Sequence, residues 1–317
     1  MAVSAGAGPA PDATGARGAS ARLAIVGPTA TGKSELGVAV CRRLGAAEVV
    51  SADALLVYRG MDIGTAKPSP ADRSVVPHHL VDVADPSEDY SLARFVAAGR
   101  AALEDIAARG ASAVVVGGTG LYVRGLVDRL DVPGQWPAVR ADLDAEPDTR
   151  ALHTRLVQLD PVAASRMEPA NRRRVVRALE VTVGSGRPFS SFGPGLDAYP
   201  PVATVLVGLD LPIDVLDRRI TERVEAMLTA GLLAEVERLA SAPGGLSRTA
   251  AQGLGYRQLL AHLRGEMTLD EAMGEIVAAT RRFARRQRRW FRRDPRIIWF
   301  DASAVDAAAV SGLLRDA

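Results

Sequence analysis

Eight consecutive residues, Gly27-Pro28-Thr29-Ala30-Thr31-Gly32-Lys33-Ser34, carry the spacing G-x-x-x-x-G-K-[ST]. Those residue types suit the holding of phosphate. The glycines let the chain wrap so that backbone N–H groups converge on phosphate oxygens, and a helix beginning there adds its positive end. Lys33 supplies a point charge, and the Ser34 hydroxyl can ligate Mg²⁺. An apolar run, Leu23–Val26, precedes the motif and a helical pattern, Lys33–Leu44, follows it, which argues against a glycine-rich turn matched by chance. The motif points to phosphate and does not specify a nucleotide.

Two further segments could do chemistry beside it. The run Glu48–Ser51 leads into Ser51-Ala52-Asp53. A carboxylate at a strand's end can support Mg²⁺ from the second shell, act as a general base, or cap a helix, and position alone does not separate these. The run Ala113–Val116 ends in Gly117-Gly118-Thr119-Gly120, a hydroxyl on flexible backbone with no acid. An NTPase usually places a second acid at a strand end, so this segment weakens an ATPase or kinase reading.

Arginine dominates two other stretches. Arg281–Arg293 holds eight arginines with Phe283, Trp290 and Phe291 interleaved. Arginine pairs with phosphate bidentately and stacks on bases, so the segment suits RNA, the alternative being a solvated helix face with aromatic core anchors. Arg172, Arg173, Arg174 and Arg177 form a second cluster. The overall charge of +2 conceals both. His78 and His79 are adjacent, so they point apart, and nothing nearby completes a metal site.

The elements that must position these groups follow from hydrophobic pattern. Strand signals fall at Leu23–Val26, Glu48–Ser51, Ala113–Val116, Thr204–Leu209 and Ile297–Phe300. Helical patterns lie between them at Lys33–Leu44, Leu92–Ala108, Pro212–Ala240 and Leu269–Trp290, with a short one near Val305–Leu314. Such alternation predicts an α/β fold with a doubly wound parallel sheet, in this case a P-loop sheet. From 133 to 188 only helical segments are predicted (Asp148–Leu159, Pro161–Met167, Asn171–Val183), which suggests a small all-helical insertion domain serving as a lid over the site. The expected division is a disordered tail over 1–20, a catalytic core over 21–132 and 189–317, and the insertion over 133–188.

Bulk properties set the remaining bounds. Hydrophobic residues at 48% support a sizeable core, built mostly from aliphatics because aromatics are only 4%. The single cysteine, Cys41, permits no internal disulfide and fits a reducing compartment. The first twenty residues lack the apolar run of a secretory signal. No apolar stretch reaches the ~18 residues of a membrane span. A cytoplasmic location is expected.

Taken in order, the motifs resemble a known family. They are GPTATGKS (Gly27–Ser34), SADALLVY (Ser51–Tyr58), RGMDIGTAKP (Arg59–Pro68), VPHHL (Val76–Leu80), GGTGLY (Gly117–Tyr122), RALEV (Arg177–Val181), GLGYRQ (Gly253–Gln258) and RRQRRWFRR (Arg285–Arg293). This series resembles the bacterial tRNA dimethylallyltransferases, the tRNA isopentenyltransferase family, over nearly the whole chain from Leu23.

The resemblance implies transfer of a dimethylallyl group from dimethylallyl diphosphate to N6 of adenosine 37, beside the tRNA anticodon, with diphosphate leaving and no ATP consumed. It implies that Gly27, Thr29, Ala30, Thr31, Gly32, Lys33 and Ser34 hold the diphosphate, with Mg²⁺ as cofactor on Ser34. Asp53 is then the general base, Thr119 reaches the same target, and Arg223 faces the diphosphate. Contacts to the anticodon stem-loop are implied for Asp53, Ala54, Leu55, Leu56, Thr119, Arg140, Arg173, Arg174, Arg177, Gly255, Arg281, Arg285 and Arg288. The chain departs from the family pattern S-x-D-S-x-Q-[VI]-Y, because Ala54 and Leu56 replace the usual Ser and Gln and two hydrogen-bonding side chains are lost. Adenosine 37 must also leave its stack, so a channel is expected that admits a flipped base from one end and the diphosphate from the other. A monomer is expected. Two other readings remain: a P-loop small-molecule kinase, and an RNA-binding module with a vestigial P-loop.

Overall fold

A computed structural model describes residues 22–193 and 195–314. The expected N-terminal tail therefore lies outside the described residues. In chain order the elements are β1 (Leu23–Val26), α1 (Lys33–Leu44), β2 (Ala47–Ser51), α2 (Pro70–Val75), β3 (His78–His79), α3 (Leu92–Ala108), β4 (Ser112–Gly117), α4 (Gly120–Val127), α5 (Pro137–Ala145), α6 (Thr149–Leu159), α7 (Pro161–Ser165), α8 (Arg172–Ser185), β5 (Val205–Asp210), α9 (Ile213–Thr229), α10 (Leu232–Ser241), α11 (Arg248–Ala251), α12 (Tyr256–Leu263), α13 (Leu269–Phe291), β6 (Ile297–Asp301) and α14 (Ala307–Gly312).

The sheet is parallel throughout, in the order β3-β2-β4-β1-β5-β6. Its central strands read as continuous apolar runs because helices cover both faces. Leu36, Val40 and Cys41 of α1 pack with Val310 of α14 on one face. Phe95, Val123, Leu259, Ile276 and Phe291, from α3, α4, α12 and α13, share the core on the other. Burial pushes the Cys41 thiol up to about 12, as befits a core side chain. β1 lies between β4 and β5, so Gly27 leaves the sheet between their two carboxyl ends, where ligands of such folds bind.

Several differences from the expected elements have local causes. The pattern Pro212–Ala240 is two helices, because Gly231 at φ 98° ends α9 before the apolar period resumes in α10. The two-residue edge strand β3 is too short to have a period. The short helices α2 and α4 follow loops that carry no long periodic pattern. In α12, the backbone N–H of Gly255 is held by Gln258.

Helices α5–α8 share their own small core, including Leu143, Leu152, Leu156, Val175 and Leu179. The chain returns from them through a segment tied to the main body. Arg124 donates to the carbonyls of Leu196 and Ala198, Arg296 donates to that of Pro200, and both guanidiniums lie against the Tyr199 ring. Among the described residues, no helix is long and apolar enough to cross a membrane.

Candidate active site

The cradle is shaped by positions that only certain residues tolerate. Gly27 sits at φ 139°, and a Cβ there would collide with the Leu209 carbonyl of the neighbouring strand. Gly32 at φ 82° precedes α1, and Ala30 adopts φ 63° although it is not glycine. The Thr31 hydroxyl donates to the Pro28 carbonyl at 2.9 Å, and Lys33 Nζ donates to the same oxygen. The Thr29 N–H is also engaged, donating to Gln287 Oε1 at 2.9 Å. The Thr29 N–H and the Thr31 hydroxyl are thus engaged within the protein and hold the loop together.

Two clefts meet in front of this loop. One, of about 330 Å³, is lined by Ala30, Gly32, Lys33, Ser34, Leu56, Arg219 and Gln287 among others. The second, of about 560 Å³, is lined by Ala54, Leu55, Thr119, Gly255, Arg257, Arg282 and Arg286 among others. Thr29, Asp53, Thr65, Arg223 and Phe283 line both, so they stand at the junction. The first cleft is cationic and the second mixes apolar walls with arginine and hydroxyl groups.

Asp53 caps no helix. Its Oδ1 accepts the Leu55 N–H at 2.8 Å, which fixes its side chain in the turn after β2. Of the two replaced positions, Ala54 faces the larger cleft and Leu56 the cationic one. Thr119 is the N-cap of α4 but makes no cap bond with its side chain, and it lines the larger cleft. Arg219 and Arg223 sit one turn apart on α9 and both line the cationic cleft. Burial pulls Arg223 below the usual arginine range, while Asp53 and Glu35 oppose the shift. Burial, then Arg223, pull Lys33 down to about 7 against Asp53 and Glu35.

The chain's two lysines both work in this region. Lys67 is buried against Asp62 and Asp82 and donates to the Tyr58 carbonyl, folding the Arg59–Pro68 loop. Buried Glu235 accepts the N–H groups of Asp62, Ile63 and Gly64 and the Tyr256 hydroxyl. Together they present Thr65 at the junction of the clefts. Neither Glu235 nor Gln287 was foreseen as part of the site.

The arginines divide by helix phase. Arg281 and Arg285 face Asp217 of α9, and Arg288 and Arg292 both reach Asp210 at the end of β5. These bonds serve the protein's own fold. On the same helix Arg282 and Arg286, with Phe283, line the larger cleft, and Arg257 joins them from α12. The all-round distribution of arginine hid this phase from the sequence. In the helical insertion, Arg140 and Arg177 converge on buried Glu180, and Arg177 also donates to the Pro133 and Gly134 carbonyls. Arg173 and Arg174 are exposed. No residue between 133 and 188 lines either cleft.

Among the described residues, no group of three or more His, Cys, Asp or Glu side chains is gathered for a metal. His79 pairs with Glu48 at 2.6 Å, and His78 bonds the Val76 carbonyl. The Ser34 hydroxyl in a cationic cleft suits an ion that takes most of its ligands from phosphate oxygens and water, which is the habit of Mg²⁺.

A parallel sheet with a glycine-rich P-loop motif after its first strand, and a carboxylate where two clefts meet in front of it, defines a P-loop α/β protein. The model of the family described as IPP transferase matches residues 56–294. The chain is 50% identical over 287 residues to the tRNA dimethylallyltransferase of Streptomyces coelicolor, covering 90% of this chain and 91% of that one. It is 51% identical over 288 residues to that of Kineococcus radiotolerans, covering 88% and 90%. Among solved structures, the tRNA isopentenylpyrophosphate transferase of Bacillus halodurans is similar with a TM-score of 0.67 at 36% identity, covering 93% of this chain and 96% of that chain. A eukaryotic dimethylallyltransferase acting on tRNA gives 0.75 at 26% identity, covering 89% and 74%. The chain belongs to the IPP transferase family and is a prenyltransferase.

Proposed function

We propose that the chain transfers the dimethylallyl group of dimethylallyl diphosphate to N6 of adenosine 37 in tRNA, releasing diphosphate. The observation that carries this reading is the junction: Asp53, Thr65 and Arg223 line both a cationic cleft over the cradle and a larger cleft open to arginines. A diphosphate in the first and a flipped base in the second meet there.

In the reaction the N6–C1 bond forms as the C1–O bond to diphosphate breaks. The N6 lone pair is delocalised into the ring, so the amine attacks well only if its proton is removed as the bond forms. Asp53 takes that proton. Thr119 orients the base from the turn after β4. Lys33, Arg219 and Arg223 neutralise charge growing on the leaving diphosphate. Mg²⁺ held at Ser34 would add further neutralisation. The junction brings together two reactants that would otherwise meet bimolecularly.

The test is to incubate the protein with Mg²⁺, dimethylallyl diphosphate and an unmodified tRNA bearing adenosine at position 37, then digest the RNA for mass spectrometry. A dimethylallyl-adenosine nucleoside is the expected product. Turnover of ATP without that nucleoside would favour the small-molecule kinase instead.

The tRNA grip follows from helix phase. Arg282 and Arg286 face the base cleft, so they contact the RNA backbone around adenosine 37, and exposed Arg173 and Arg174 extend the grip to the anticodon stem. The double substitution Arg282→Gln with Arg286→Gln is expected to lower the salt dependence of tRNA binding by about two phosphate contacts. Arg281→Gln with Arg285→Gln is expected to lower melting temperature while leaving that salt slope near wild type, because those arginines pair with Asp217. Binding titrations across salt concentrations check both, and the opposite ranking would return the grip to the Arg281 face.

A further inference from the structure

We propose that Gln287 is a positioning residue for prenyl transfer, holding the diphosphate loop and the Thr119 turn at a fixed separation. The inference rests on the prenyl-transfer reading above. Gln287 is buried on α13, and both ends of its amide are engaged. Its Oε1 accepts the Thr29 N–H at 2.9 Å, and its Nε2 donates to the Gly118 carbonyl at 2.9 Å. One planar amide therefore ties the loop after β1 to the turn after β4.

The glycines of that turn are explained by the same contact. A Cβ on Gly118 would run into Gln287 Nε2, and a Cβ on Gly120 would run into the Trp290 indole. Both glycines exist to seat side chains of α13, and Thr119 stands between them, lining the base cleft. At the other end of the amide, Thr29 lines both clefts. The sequence segment read as flexible backbone is thus a seat, and the strut resting in it spans from the leaving group to the acceptor.

The helix α13 has anchors besides this strut. Asp217 anchors that helix through Arg281 and Arg285, and Asp210 does so through Arg288 and Arg292, on either side of Gln287 along the chain. Gln287 instead passes the position of an anchored helix to two loops whose spacing sets the distance between C1 and N6. Reacting atoms must come within about 3–3.5 Å, and misplacement by about 1 Å can cost about a hundredfold in rate.

Gln287→Met and Gln287→Glu separate this role from a structural one. Steady-state rates with dimethylallyl diphosphate and unmodified tRNA give kcat and the KM for the diphosphate, and filter binding gives tRNA Kd. In Gln287→Met we expect kcat to fall about 10- to 100-fold. The KM for dimethylallyl diphosphate should rise severalfold, with tRNA Kd within about twofold of wild type. Gln287→Glu keeps an acceptor for Thr29 but sets an oxygen against the Gly118 carbonyl, so an intermediate loss is expected. If Gln287→Met fails to fold, the glutamate variant decides. Wild-type kcat in either folded variant overturns the inference, as does tRNA affinity falling in step with kcat. A wild-type enzyme that makes no prenylated nucleoside overturns the underlying reading and this one with it; an active wild type with unaffected variants overturns this one alone.

Discussion

Asp53→Asn is expected to slow prenyl transfer by about 10²–10⁴-fold, the span of a lost general base, with tRNA affinity and melting temperature close to wild type. The amide keeps an oxygen in the place of Oδ1, so the Leu55 N–H retains its acceptor and the turn after β2 persists. On the proposed mechanism, what disappears is the ability to take the N6 proton. The substitution also removes a negative charge that faces the cationic cleft, where it counts against a diphosphate. The KM for dimethylallyl diphosphate should therefore stay level or fall while kcat drops. Single-turnover rates on preformed complexes read the chemical step directly. A raised KM with unchanged kcat would make Asp53 a binding group and move the proton elsewhere.

The cradle was legible from sequence because its motif and the elements that flank it are local. Gly27, Gly32, Lys33 and Ser34 follow one strand and open one helix, and both are bounded by strong apolar patterns. Asp53 was legible as a strand-end carboxylate, and the turn geometry sets aside only its reading as a helix cap. The β-sheet followed from alternation, since four of its six strands are mostly buried runs and β6 is an apolar run at the sheet edge. What the sequence concealed was long-range pairing. Gln287 lies far along the chain from Thr29 and Gly118, and nothing local distinguishes it from its arginine neighbours. Glu235 reads as one more polar position of an amphipathic helix until the loop folded around it is seen.

The arginine stripe shows why composition does not give function by residue. Arginine at 281, 282, 285, 286, 288 and 289 covers most of the circumference of α13, so no periodic signal marks the RNA face. The acids that consume one side, Asp210 and Asp217, sit on other elements. Subtracting them leaves Arg286 and Arg282, the latter also within reach of exposed Glu275, lining the cleft. The same subtraction in α8 leaves Arg173 and Arg174 and assigns Arg177 to Glu180.

Lys33 carries the second large effect. Burial and the neighbouring Arg223 pull its pKa down to about 7, so in the free protein its charge is present below pH 7 and is lost as pH rises through that value. A diphosphate in the cleft favours the charged form, which raises the pKa of the bound state. Binding above pH 7 must therefore take up a proton, and affinity should fall by up to about tenfold per pH unit until the bound-state value is reached. Lys33→Met removes that proton uptake and is expected to lower kcat/KM by about 10²–10³-fold, as for loss of one charge-stabilising donor. Calorimetric titration of inorganic diphosphate at pH 8, in two buffers of different ionisation enthalpy, measures the uptake. The ligand's own titration is common to both proteins, so the difference between wild type and Lys33→Met isolates the lysine. Arg223→Met should shift the inflection to higher pH, because it removes the cation that opposes Lys33 protonation. Equal proton uptake in wild type and Lys33→Met would mean that the lysine enters the complex already charged, and that burial in the cleft perturbs it far less than the geometry implies.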